Sequence, residues 1–153
     1  YDHVDGSTYN QWYLVNQAGT YKLNWTSLNS GSTVINTCVV TWSTPATNVW
    51  YHLALVRSGN MVTMYVNGTS IANVAGISGS VGDPSTSLGL GAQITAPTNT
   101  TMNGWIDEVR ISKGVARWTS NFTPPSEAYY GNYVDPTPTT PPTGWQTYDY
   151  TYT

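Results

Sequence analysis

The chain has 153 residues, enough for one domain whose core needs no disulfide or metal staple, plus a tail. Only 8% of its residues are charged, against about 25% in an ordinary globular protein, and Ser, Thr, Asn and Gly stand in their place. A net charge of −3 with two Lys and three Arg excludes a surface that tracks nucleic acid, and no apolar run reaches the ~18 residues of a membrane span. The single cysteine, Cys38, excludes an internal disulfide and a Cys-based zinc site.

No stretch sustains a helical 3.6-residue period. Short runs rich in Val, Ile, Thr, Tyr and Trp recur between Gly, Asn, Ser and Pro clusters, the pattern of an antiparallel sandwich or barrel. Taken in order, strands are expected over residues 12–16, 21–26, 34–42, 50–58, 61–66, 69–74, 87–91 and 104–112. The first two carry a dense group of aromatics. Trp12, Tyr13, Tyr21 and Trp25 are candidate ligand-binding residues, because aromatic faces serve both as sugar-stacking platforms and as protein interface anchors. Strand alternation sends some of them to the core, and the sequence does not say which. Cys38 lies in the β-branched run 34–40 and reads as a buried, inert thiol.

Residues 50–74 carry the clearest local signal. Ser58-Gly59-Asn60 and Asn67-Gly68 are hairpin turns, and Asn-Gly suits the paired positive φ angles of a type I′ turn. A three-stranded meander follows. Trp50, His52, Ala54 and Val56 alternate on one face of the first of these strands, and Tyr51, Leu53, Leu55 and Arg57 on the other. With both faces largely apolar, the strand is expected to be central and covered on both sides, with Trp50 and His52 buried. His52 has no His, Cys or carboxylate at ligand spacing and reads as a neutral, hydrogen-bonded core residue.

Residues 113–117 suggest one helical turn. From Asn121 the chain becomes Pro-rich, and residues 135–143 form a Thr/Pro linker of extended polyproline type. Residues 147–153 then alternate strictly between Thr or Asp and Tyr. Trp145, Tyr148, Tyr150 and Tyr152 are candidate assembly residues, on a strand seeking a sheet or opening a further domain. The expected organisation is a sandwich over 1–128, a linker over 129–144 and a terminal strand over 145–153. The chain opens at Tyr1 without Met and reads as a piece of a longer polypeptide.

Three segments in the right order carry a family resemblance. Residues 48–57 (NVWYHLALVR) resemble the W-x-H strand of laminin-G-like, concanavalin A-like jelly rolls. Residues 62–68 (VTMYVNG) resemble the hairpin that follows it, and residues 103–111 (NGWIDEVRI) the closing strand. The resemblance covers roughly residues 12–125 and implies an all-β, antiparallel jelly-roll β-sandwich of the concanavalin A-like lectin/glucanase type. It also implies that two or three opening strands are missing before Trp12. Residues 112–125 resemble the variant found in bacteriophage virion and tail-associated proteins, and the Ser/Thr/Asn/Tyr-rich texture resembles that of fibres and adhesins.

Enzymes on this fold that cleave glycosides place two carboxylates across one bond. The only glutamates are Glu108 and Glu127, and Asp107 and Glu108, adjacent on a strand, are expected to face opposite ways. The reading is therefore non-enzymatic. Asp107 shares an apolar face with Trp105, Val109 and Ile111, so it needs a partner. Two readings stay open: a cap on loop backbone, or a ligand of a structural calcium, as the resemblance allows. No other cofactor is expected. Sequons at Asn24, Asn67, Asn99 and Asn121 are close to the number chance gives. The function expected is a structural or adhesive module of an extracellular assembly, such as a bacteriophage virion fibre or decoration protein. Its partners would be other protein subunits, as a homo-oligomer or within the assembly. The alternative is a carbohydrate-binding lectin domain that takes cell-surface glycans.

Overall fold

A computed structural model describes residues 2–5, 8–29, 36–93 and 101–126. Among the described residues seven strands form two antiparallel sheets: β1 (Asp2–Asp5), β2 (Thr8–Gln17), β3 (Thr20–Leu28) and β4 (Asn36–Trp42) in the order β1-β2-β3-β4, and β5 (Leu53–Ser58), β6 (Met61–Val66) and β7 (Thr69–Val74) in the order β5-β6-β7. Among the described residues there is no helix, so the turn expected at 113–117 is absent and Gly114 instead bends the chain. No helix is long and apolar enough to cross a membrane.

The sandwich follows from alternation. Trp12 faces Trp25 across β2 and β3, and Trp25 faces Cys38 across β3 and β4. This puts Leu23, Trp25 and Cys38 on the inner face, where they meet Val62, Met64 and Ile77, with Trp12, Val40, Trp42, Leu55, Val66, Ala72 and Val74 packed around them. Trp25 is buried with its polar tip satisfied, because its Nε1–H donates to Asn10 Oδ1 at 2.9 Å. Cys38 is fully buried, and burial pushes its thiol pKa up. We therefore expect the native chain to leave a thiol reagent such as DTNB unreacted and to release one equivalent only after unfolding. A native chain that reacts at once would show that Cys38 is reachable.

The meander over β5, β6 and β7 forms as expected, with Asn67 at φ 50 and Gly68 at φ 76 supplying the paired left-handed turn. The segment after β7 returns to close one end of the sandwich. Ile77 enters the core, Asn36 and Ser78 exchange two hydrogen bonds, and Gly82 N–H donates to the buried Ser27 Oγ at 2.6 Å. At the other end the Tyr51 ring packs edge-on against Trp42, and its hydroxyl accepts the Ala46 N–H.

Several expectations change. Residues 2–5 form β1 against β2, so an opening strand is present before Trp12. β5 begins at Leu53 rather than Trp50 and lies at the edge of its sheet rather than in the centre, although both its faces are covered. Ala54 and Val56 are buried, His52 is half-buried, and Trp50 is 65% exposed. The cause is local. Asn48 takes φ 59 and Tyr51 is tied back to Ala46, so the chain turns before β5 and Trp50 falls on the turn. Of the strand expected at 87–91 only a single bridge at Gly89 forms. Residues 104–112 belong to neither sheet and are exposed throughout, and Glu108 at φ 52 breaks any extended run there. The linker and the segment 145–153 lie outside the described residues.

Candidate functional site

The outer face of the β5-β6-β7 sheet is covered by a strap, residues 116–125. Ala116, Trp118 and Phe122 pack on Ala54, Val56 and Tyr65. Trp118 and Phe122 stack with centroids 4.0 Å apart, and the His52 ring meets both edge-on at 5.6 and 5.5 Å. Backbone and side-chain bonds fix the strap to the hairpin tip: Phe122 N–H to Gly68 O at 2.9 Å, and Ser70 N–H to Asn121 Oδ1 at 2.9 Å. Asn67 and His52 lock the start of β5 to the same tip, since His52 N–H donates to Asn67 Oδ1 and Asn67 N–H donates to His52 O.

These anchors shape an open cleft of about 500 Å³ where the strap leaves the sheet. Its walls are the pre-β5 residues Trp50 to Leu53, the Asn67 tip, Asp107 and Glu108, and Pro124 and Pro125. The left-handed φ of Glu108 explains how two adjacent carboxylates come to line one cleft, contrary to the expectation that they face opposite ways. Asp107 Oδ1 accepts the Glu108 N–H at 2.8 Å, a loop-backbone contact. Both residues are exposed, whereas a proton-donating carboxyl is ordinarily sunk in an apolar pocket.

Calcium takes six to eight oxygens. The described residues bring one other carboxylate, Glu108, to Asp107 in the cleft, and among them no group of three or more His, Cys, Asp or Glu is placed to hold a metal. The set does not fit a calcium shell.

His52 is half-buried beneath the strap. Its Nδ1 is buried with no side-chain hydrogen-bond partner among the described residues, and aromatic edges flank the ring. Burial pushes its pKa below the ordinary value, outweighing a contrary backbone hydrogen bond. The sign follows from linkage. Below roughly pH 6.5 the unfolded chain takes up a proton that the folded chain resists, so stability falls as pH drops and levels off below the folded-state pKa. We expect the melting temperature of the parent to fall more between pH 7.5 and 5 than that of a His52→Gln variant. Parallel curves would contradict it.

The four aromatics singled out in the first strands do not form one surface. Trp12, Tyr21 and Trp25 lie on the inner face of the β2–β4 layer, and Trp25 is only 2% exposed. Tyr13 alone turns outward, 44% exposed, opposite the buried Asn24. At the cleft the open indole face is that of Trp50, which alternation had assigned to the core. Its signal lay in Asn48, a residue that tolerates left-handed backbone and so marks a turn before the strand. Three sequon asparagines are tied into the fold: Asn24 is buried, and Asn67 and Asn121 each accept a backbone hydrogen bond through Oδ1.

A model for the concanavalin A-like lectin/glucanases superfamily, of laminin G type, matches residues 2–119. No curated protein matches the chain. A crystallised segment of an S-layer domain-containing protein from Clostridium thermocellum is 20% identical, with a TM-score of 0.33, over 79% of this chain and 62% of that one. The chain thus spans less than two thirds of that structure.

Proposed function

Since the chain belongs to the concanavalin A-like lectin/glucanase superfamily, we propose that it is a non-enzymatic binding module of an extracellular assembly, adhesive or structural in role. The observation that carries this reading is the cleft and its apolar rim. Trp50 and Leu53 are exposed at the cleft, and Trp105 and Ile106 are exposed on the segment that leads into Asp107. Large aromatic and aliphatic side chains in the open are what protein interfaces use as anchors. The partners are other protein subunits, further copies or other components. The finest setting, a bacteriophage virion or fibre, rests on the likeness of residues 112–125 and on the Ser/Thr/Asn/Tyr-rich texture. Electron microscopy of the purified chain, alone and with surface components of its source, is the test. A repeating array disrupted by Trp50→Ala is the expected result, and dispersed single particles under all conditions would count against it.

A second reading is favoured by one feature of the same cleft. An open indole beside two carboxylates and Asn67 is suited to stack on a sugar ring and accept its hydroxyl protons. On a glycan array this lectin reading expects bound spots that vanish with Trp50→Ala and persist with Tyr13→Ala. An empty array would remove it.

A further inference from the structure

The walls of the cleft are short of backbone donors and rich in acceptors. Asn67 N–H is already given to His52 O at 2.8 Å, His52 N–H to Asn67 Oδ1 at 2.9 Å, and Glu108 N–H to Asp107 Oδ1 at 2.8 Å. Pro124 and Pro125 have no N–H to give. Asp107 and Glu108 bring two carboxylates, and among the described residues no lysine or arginine lines the cleft to offset them. Burial pushes the His52 pKa down, so its ring adds no positive charge at neutral pH. A separate feature favours the same kind of ligand: the Trp50 indole, 65% exposed at the cleft, offers a π face that attracts cations. An anion is repelled here, whereas a ligand that carries donors and positive charge gains from the carboxylates and from the ring.

We propose that the cleft receives an arginine side chain of a basic protein partner, its guanidinium laid on the Trp50 indole and its N–H groups donated to the carboxylates of Asp107 and Glu108. This rests on the reading of the chain as a binding module and names the chemistry of its partner. Arginine fits better than lysine for three reasons. Its plane stacks on an indole, its fork of donors matches carboxylate oxygens, and it is more weakly hydrated than an ammonium. Leu53, half-open beside Trp50, gives the aliphatic stem an apolar surface to lie on. The partner is a different protein and not a second copy. Three of the chain's five cations are held by their own fold: Lys22 Nζ donates to Gln17 Oε1, Arg57 to Gly59 O and Gly79 O, and Arg117 Nε to Ser112 Oγ. Copies that each carry a net charge of −3 also repel one another.

The test is calorimetric titration of the full chain with a hexa-arginine peptide at low ionic strength, beside hexalysine and the neutral isostere hexacitrulline. Hexa-arginine should bind, hexalysine about fivefold more weakly, and hexacitrulline not at all. Trp50→Ala should weaken hexa-arginine about tenfold and remove its advantage over hexalysine. Asp107→Asn combined with Glu108→Gln should also weaken it at least about tenfold. The asparagine keeps an oxygen for the Glu108 N–H, so the turn survives the change, and an unaltered melting temperature checks this. Tyr13→Ala, on the other sheet, should leave the affinity as it was. A silent hexa-arginine, equal affinity for arginine and lysine peptides in the parent, or binding that the cleft variants leave untouched would each overturn the proposal. If the arginine peptide is silent while Trp50→Ala still disrupts assembly under the microscope, the binding reading stands and the arginine assignment alone falls. If assembly is also indifferent to Trp50→Ala, both fall.

Discussion

Gly68→Ala is expected to release the strap from the three-stranded sheet. Gly68 holds φ 76, a region where a Cβ is strained, and that Cβ would run into the carbonyl of Phe122 and approach Pro124 Cδ to 3.1 Å. The alanine cannot relax without breaking the Phe122 N–H to Gly68 O bond, and with it the seating of Phe122 on Tyr65 and His52. Backbone strain and overpacking together amount to a loss on the order of 3 kcal/mol. Gly59→Ala is the control, since Gly59 has φ 58 and nothing within 4 Å of its added Cβ. It should lose about 1–2 kcal/mol from backbone alone. Thermal melting of the two variants reads the difference, and equal shifts would mean that the strap is not seated at Gly68.

Trp25→Ala is expected to be the most damaging single change in the first sheet. The indole fills the inner face between Trp12 and Cys38, and its N–H is the partner of Asn10. Removing it leaves a cavity and an orphaned amide oxygen, together about 3–5 kcal/mol. Tyr13→Ala, one position along from Trp12 but facing outward, should lose less than about 1 kcal/mol. Urea midpoints at unchanged slope check both. If Trp25→Ala were as mild as Tyr13→Ala, the assignment of inner and outer faces would be reversed.

The parts of the fold legible in the sequence are those fixed by short-range chemistry. The β6 and β7 bounds follow from alternation and from Asn67-Gly68, whose left-handed pair has few alternatives. Cys38 among β-branched neighbours could hardly be other than core. What alternation cannot see is where a strand begins when its flank is also apolar. Trp50 has the parity of Ala54 and Val56, yet the Tyr51 hydroxyl bond to Ala46 turns the backbone before β5 starts. The same limit applies at residues 104–112. Their pattern is that of a strand, but a strand exists only when another supplies its hydrogen bonds. β1 was missed for the opposite reason: four residues, Asp2–Asp5, carry too little periodicity to be recognised, and pairing with β2 makes them a strand. The cleft depends on both surprises, an exposed Trp50 and a left-handed Glu108, and of its lining Asp107 stands out in the sequence, as a carboxylate that needs a partner.

We propose that Asp107 and Glu108 line a binding cleft and not a hydrolytic one. Native gel electrophoresis through matrices containing laminarin, xylan or another β-glucan tests it most directly, because one gel reports both retention and cleavage. After staining for intact polymer, the expected result is an unbroken background behind the protein band in every matrix, whether or not the band is retarded. A cleared zone that disappears with Asp107→Asn or Glu108→Gln would contradict the claim and make the chain an enzyme.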